Sequence, residues 1–359
     1  MSSHRSPTQD GQLSKPSGIS NRLPSLDGLR AVSILLVLLG HLSGTRGFGR
    51  ITLGVGDYAH LGVLVFFVIS GFLITRLMLS EYQRQGRVSL GNFYLRRVLR
   101  LFPASYAYIL VVSLASAAGL FALNSSDIWH AVTYTVNYLP SRSWQIGHLW
   151  SLSVEEQFYL LWPCAFALSK PRRAAWVAAG VILFGPVARA LTWLFLRHTP
   201  YYDLETFPTL ADSLAMGCLL AMLSGWLERQ RWYLRLFRPH YSLCLLALIL
   251  LINRYGGYTI VAVFGTSIVY AATAILVHRS LYCSNDWVGR LLNWRPITFL
   301  GVLSYSLYVW QQLFLNRTSS SWVNEFPQNI LFAFAAALCS YFLLEKPFLS
   351  LRRRLRLVA

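Results

Sequence analysis

Long apolar segments alternate with short polar segments along nearly the whole chain. A helix needs about 20 mostly apolar residues to cross a bilayer, and the sequence contains about ten segments of that kind. They cover 30–46, 59–79, 101–122, 148–168, 174–196, 207–227, 241–253, 260–277, 298–315 and 328–345. The pattern predicts an all-α, polytopic membrane bundle of about ten transmembrane helices over 23–350. We expect a disordered cytoplasmic tail at 1–22 and a basic cytoplasmic tail at 351–359.

The net charge of +18 at first suggests a nucleic-acid partner. The positions of the charges favour a different explanation, because 25 of the 32 Lys and Arg residues fall on one side of the predicted membrane. Lys and Arg in short loops stay in the cytoplasm. The charge pattern therefore predicts that both termini are cytoplasmic and that the partner is the lipid bilayer, with no nucleic acid. The five cysteines show no CxxC or metal-ligand spacing, so we predict no metal site.

The first predicted helix contains the segment RAVSILLVLLGH, which begins at Arg30 and ends at His41. Eleven residues bring a helix back to within about 20° of the same face and about 16 Å further along its axis. Arg30 is thus expected at the membrane boundary and His41 near mid-bilayer. An ionisable group at that depth often marks a pathway or a site. Taken alone, the segment fits equally well with an uncharged histidine bonded to a neighbouring helix.

The segment HLWSLSVEEQFYLLWP supplies a carboxylate at a similar depth. Ser151 and Glu155 are four residues apart and share a helix face, and we expect Glu155 to meet His41. Such a pair supports proton transfer. A Glu–Ser bond between packed helices explains one acid, but explains two adjacent acids, Glu155 and Glu156, less readily.

The segment NFYLRRVLRLFP places two arginines three residues apart, just before a predicted span. Arg97 and Arg100 share one face, and arginine suits bidentate binding of phosphate. The pair is therefore a candidate site for a phosphorylated cytoplasmic ligand. For this segment alone, anchoring by the positive-inside rule is the simpler explanation.

Six segments together resemble the acyltransferase-3 family of integral membrane acyltransferases. In chain order they are RLPSLDGLRAVSILLVLLGH, FFVISGFLIT, FYLRRVLRLFP, HLWSLSVEEQFYLLWP, LSYSLYVWQQLFL and LLEKP. The resemblance implies catalytic roles for His41, Glu155 and Ser151 and donor binding by Arg30, Arg97 and Arg100. It also implies supporting roles at Asp27, Trp150, Gln157, Tyr159, Tyr305 and Tyr308. One departure is visible: many members have a histidine where this chain has Gln311.

The resemblance implies a membrane-embedded O-acetyltransferase of a bacterial inner membrane. Its co-substrate would be cytoplasmic acetyl-CoA, with no bound cofactor, and its acceptor a carbohydrate or glycolipid of the cell surface. Some members carry an additional soluble domain after the bundle, which we do not expect here. The alternative is a proton-coupled transporter or flippase in which His41 and Glu155 relay protons. A structural scaffold is a third possibility, but it leaves the buried charges unexplained.

Overall fold

The computed structural model describes residues 23–51, 57–200, 202–257 and 259–355, which form helices and turns with no β-strand among them. The predicted tail at 1–22 and the last four residues of the predicted tail at 351–359 lie outside this part. The helices are α1 Pro24–Leu42, α2 Tyr58–Gln85, α3 Leu90–Ala117, α4 Ser125–Val132, α5 Trp144–Gly147, α6 Leu149–Leu196, α7 Phe207–Leu227, α8 Arg231–Arg235, α9 Pro239–Arg254, α10 Thr266–Tyr282, α11 Trp287–Leu292, α12 Arg295–Phe314, α13 Gln328–Ser340 and α14 Lys346–Arg354. Short π-helical segments, Val261–Gly265 and Tyr341–Glu345, precede α10 and join α13 to α14.

The polytopic helical membrane architecture is confirmed. Within the described ranges, seven helical segments are long and apolar enough to cross a bilayer, and α9 is a shorter apolar helix. Helix α6 covers two predicted spans. They are separated at Lys170, where the backbone leaves the helical conformation (φ 62°, ψ 161°) just before Pro171. A helix thus lies on each of the ten predicted segments, while the count of ten spans and the cytoplasmic termini stay predictions.

Several helices begin earlier or end later than their apolar segments. Helix α1 begins at Pro24, and α3 begins at Leu90, where the Ser89 side chain accepts a hydrogen bond from the backbone N–H of Asn92. Proline at the first position and serine at the N-cap both favour a helix start. Arg30, Arg97 and Arg100 therefore project from helices, not from flanking loops. Helix α14 likewise continues through the predicted boundary at 350 as far as Arg354.

Glycines allow the central helices to approach closely. A Cβ on Gly71 of α2 would overlap the carbonyl oxygen of Leu214 on α7, and one on Gly217 of α7 would overlap that of Val68 on α2. Small residues of this kind let membrane helices pack backbone to backbone. Helix α1 packs against both α2 and α12. These contacts fix the faces of α1, α2 and α12 that line the cavities described below.

A buried ion pair between Arg189 and Asp212 joins α6, α7 and α10. The Arg189 guanidinium binds both carboxylate oxygens of Asp212, at 3.1 and 2.9 Å, and donates to the Ser267 hydroxyl at 2.5 Å. It also donates to the carbonyls of Thr209 and Val263. Arg189 is 1% exposed and Asp212 is fully buried. Because the arginine is hydrogen-bonded throughout and lines neither cavity, its role is structural.

Candidate active site

The larger cavity of the bundle has a volume of about 450 Å³ and an excess of positive charge. Helices α1, α2, α3, α6, α12 and α14 contribute to its wall. Six arginines line it, and they are Arg30, Arg76, Arg96, Arg97, Arg100 and Arg352. The carboxylates on its wall are Asp27, Glu155 and Glu345. A cleft lined mostly by one sign of charge concentrates ligands of the opposite sign.

Some of these arginines already have partners. Arg96 pairs with the buried Glu81 at 3.0 Å, and Arg30 lies 3.7 Å from Asp27. Arg97 stacks over the Tyr159 ring, with its guanidinium carbon 4.1 Å from the ring centroid.

Arg76, Arg100 and Arg352 differ from Arg30, Arg96 and Arg97 in this respect. Among the ion pairs formed by described residues, none of these three takes part. Their guanidinium groups are therefore available for an anionic ligand. The structure thus brings the three predicted donor-binding arginines together and adds Arg352, which the sequence analysis assigned to a tail.

Ser151 and Glu155 both line the larger cavity, as their spacing predicts. The Tyr308 hydroxyl donates to the backbone carbonyl of His148 at 2.8 Å. The Ser151 hydroxyl lies 2.5 Å from the Tyr308 oxygen and 3.3 Å from the same carbonyl. Ser151 is therefore tied to Tyr308. Glu155 lies beside Ser70, Tyr159 and the two arginines Arg97 and Arg30.

A smaller cavity of about 240 Å³ adjoins the larger one. Its lining includes three imidazoles, those of His41, His60 and His148. Helices α1, α2 and α12 each run from one cavity to the other, and Val63 and Tyr308 line both. The bonded pair of Tyr308 and Ser151 therefore lies at the boundary between the cavities.

The predicted meeting of His41 and Glu155 is wrong. His41 lines the smaller cavity and Glu155 the larger one. The Nδ1 atom of His41 instead lies 2.9 Å from Oε1 of Gln311 on α12. The rise per residue gives the depth of a side chain in the membrane, but not the direction in which it points or which neighbour lies there.

Charged side chains that the sequence analysis missed surround the smaller cavity. Arg142 binds Glu205 at 2.5 Å and also pairs with Asp203. His60 lies 3.9 Å from Glu205, and its ring stacks on Trp150 at 5.9 Å between centroids. Most of these residues lie in loops or at helix starts, where no periodicity marks them.

His148 is the one missed residue that the sequence could have indicated, because it opens the segment HLWSLSVEEQ. Its Nε2–H donates to the Val309 carbonyl at 3.0 Å. Its Nδ1 is buried, without a hydrogen-bond partner among the described residues.

The remaining supporting residues divide between the cavities and the helix packing. Asp27, Tyr159 and Tyr305 line the larger cavity, and Trp150 lines the smaller one. The Tyr305 hydroxyl donates to the Leu101 carbonyl at 2.5 Å. Gln157 lines neither cavity, and its amide binds the Asn137 side chain and the Tyr134 carbonyl.

Comparison with known proteins identifies the kind of protein that carries this pair of cavities. A family model described as an acyltransferase domain matches residues 23–345. The chain belongs to the acyltransferase-3 family. The family match covers the lining of both cavities except for Leu349 and Arg352 on α14.

Curated bacterial relatives are similar over most of this chain. The peptidoglycan O-acetyltransferase OatA of Listeria monocytogenes is 28% identical over 340 residues, 83% of this chain and 50% of that protein. A putative O-acetyltransferase of Staphylococcus aureus is 27% identical over 91% of this chain and 57% of its own length. The putative peptidoglycan O-acetyltransferase YrhL of Bacillus subtilis is 28% identical over 80% of this chain and 48% of its own length. The chain spans about half the length of these relatives, and no solved structure matches it.

Proposed function

We propose that the protein is a membrane-embedded O-acetyltransferase that moves an acetyl group from acetyl-CoA to a hydroxyl of a cell-surface glycan or glycolipid. The observation that supports this most directly is the contact between two cavities of different chemistry. One is lined by six arginines and the other by three histidines, and they share Val63 and Tyr308. A charged donor in one cavity and a hydroxyl acceptor in the other can thus meet at one boundary.

The donor binds in the larger cavity. The phosphates of coenzyme A carry several negative charges, and Arg30, Arg97, Arg100 and Arg352 supply guanidinium groups suited to them. The excess of Lys and Arg at this end of the helices favours a cytoplasmic location, which matches the cytoplasmic supply of acetyl-CoA. The thioester then points toward Ser151 and Tyr308, away from the arginines.

His41 acts as general base at the boundary. Its Nε2 takes the proton of the acceptor hydroxyl as the hydroxyl oxygen bonds to the thioester carbonyl carbon. The carbon–sulfur bond breaks, and the coenzyme A thiolate takes up the proton from the imidazolium. Glu155 stays on the donor side, where it orients Arg97 and Tyr159, and Ser151 orients Tyr308.

The acceptor enters the smaller cavity. Carboxylates such as Asp57 and Glu205 accept hydrogen bonds from sugar hydroxyls, and the Trp150 ring offers an apolar face. The names of the relatives OatA and YrhL make peptidoglycan the first acceptor to test. Both relatives are bacterial, so we place the protein in a bacterial inner membrane.

The test is acetyl transfer by the purified protein in lipid nanodiscs, with labelled acetyl-CoA and soluble peptidoglycan fragments. We expect label in a base-labile ester of the fragments and no transfer by His41→Ala. His240→Ala is the matched control, because His240 is exposed on α9 and lines neither cavity. Normal transfer by His41→Ala would refute the role of His41. In sealed proteoliposomes, movement of label across the membrane with no ester formed would favour a transporter.

A further inference from the structure

The side chains of Gln311 and Gln312 connect His41 to a fixed backbone carbonyl. The Gln312 amide nitrogen lies 2.9 Å from the Trp144 carbonyl oxygen. The Gln311 amide nitrogen lies 3.2 Å from Gln312 Oε1, and Gln311 Oε1 lies 2.9 Å from His41 Nδ1. Gln311 is fully buried and Gln312 is 4% exposed.

The carbonyl at one end determines the direction of every bond in this chain. A backbone carbonyl only accepts, so the Gln312 group that faces Trp144 is its NH₂. The Gln312 oxygen then faces Gln311 and accepts from the Gln311 NH₂, which leaves the Gln311 oxygen facing His41. An amide oxygen only accepts as well, so His41 Nδ1 carries a hydrogen and donates.

The consequence is one defined tautomer of a half-buried imidazole. With the hydrogen on Nδ1, the neutral ring carries its lone pair on Nε2. Among the described residues, Nε2 of His41 has no hydrogen-bond partner, and His41 lines the smaller cavity. The lone pair is thus available to a ligand.

Trp144 stabilises this arrangement at two further points. Its indole N–H donates to the Gln312 backbone carbonyl at 2.9 Å. Its ring also packs edge-on against the His41 ring, with 5.9 Å between centroids. Together these contacts restrict both the position of Gln312 and the rotation of the imidazole.

We propose that Gln311 and Gln312 form an amide relay that holds His41 in the tautomer with an unprotonated Nε2. This rests on the proposed function, in which Nε2 takes the proton of the acceptor hydroxyl. Gln311 and Gln312 are positioning residues, since they act through His41. The orienting group next to a catalytic histidine can be an acid, whereas a neutral amide fixes the tautomer without adding a negative charge.

The first test measures the tautomer in the unaltered protein by ¹⁵N NMR of histidine-labelled material. The chain has eight histidines, and the His41 signals are those lost in His41→Ala. We expect the nitrogen shifts of the Nδ1–H tautomer at neutral pH. A protonated Nε2 with an unprotonated Nδ1 would overturn the proposal without any assumption about activity.

The second test uses substitutions of the relay. Gln311→Leu removes the hydrogen bonds to both His41 and Gln312. The bond to His41 is worth about 0.5–1.5 kcal/mol, so at about 1.4 kcal/mol for each factor of ten we expect kcat to fall about 2- to 13-fold with an unchanged KM for acetyl-CoA. Gln312→Leu should also lower kcat, because it breaks the relay at the next residue after Gln311. Gln328→Leu is the control for the same change of residue type, because Gln328 is a partly buried glutamine that lines neither cavity.

The third test is Gln311→Glu, which places a carboxylate beside His41 Nδ1 and stabilises the imidazolium. Because the reaction needs the neutral ring, we expect the acid limb of the pH–rate profile to move to higher pH. The other charged or titratable groups around the His41 ring stay unchanged in this variant, and they are Asp57, His60, Arg142, His148, Glu205, Tyr308 and Arg317. An unmoved limb would show that the side chain at position 311 does not contact Nδ1 of His41.

These outcomes separate the relay from the function on which it rests. Transfer by His41→Ala at the normal rate would refute the role of His41 as base. If His41→Ala is inactive but Gln311→Leu and Gln312→Leu have normal kcat, or Gln311→Glu leaves the acid limb in place, the relay is wrong and the function stands.

Discussion

Arg100→Gln tests whether the larger cavity binds the phosphates of the donor. Arg100 lines the cavity and forms no ion pair with a described carboxylate, so its replacement leaves no acid unpaired. A hydrogen bond to a charged group contributes about 1.5–3 kcal/mol. Arg97 lies three residues earlier on the same face, so Arg100→Gln also removes the repulsion between the two guanidinium groups. The net loss of binding free energy for acetyl-CoA is therefore at the lower end of that range, about 1.5–2 kcal/mol. At about 1.4 kcal/mol for each factor of ten, the KM for acetyl-CoA should rise roughly 10- to 30-fold.

The assay measures initial rates of acetyl transfer in nanodiscs over a range of acetyl-CoA concentrations. Phosphate contacts are the same in the ground state and the transition state, so kcat should change much less than KM. Arg354→Gln is the control, since Arg354 is exposed on α14 and does not line the cavity. An unchanged KM for Arg100→Gln, or a loss confined to kcat, would refute phosphate binding by Arg100.

Two further predictions concern the scaffold around the site. Arg189→Met leaves Asp212 buried and unpaired and should lower the free energy of unfolding by about 3–5 kcal/mol. Unfolding in SDS mixed micelles, followed by tryptophan fluorescence, measures this free energy. The double variant Arg189→Met with Asp212→Leu should recover most of the loss. A cost below about 1 kcal/mol for the single variant would contradict the argument. Gly71→Ala places a methyl group against the Leu214 carbonyl and should cost about 1–3 kcal/mol in the same assay. Gly91→Ala, where the added methyl group meets open space, should cost almost nothing, and equal stabilities of the two alanine variants would argue against close packing of α2 and α7.

The sequence was sufficient for the architecture, because apolar length and the requirement for internal backbone hydrogen bonds in lipid leave few alternatives to a helical bundle. It was also sufficient to select the residues on single helix faces. Ser151 with Glu155, and Arg97 with Arg100, line one cavity as their spacing predicts. Helix ends were predicted less well, since caps and charged turns extend α1 and α3 beyond their apolar segments.

The sequence by itself determined which residue types and helix faces are polar within the membrane. Only the tertiary structure decided which of them meet, because contacts between helices depend on rotation, register and close approach at glycines, none of which has a local period. It separated His41 from Glu155 and joined His41 to Gln311. It also brought Arg352 of α14 to the larger cavity, beside Arg97 and Arg100 of α3. The residue that departs from the family pattern, Gln311, therefore contacts the histidine that the sequence selected.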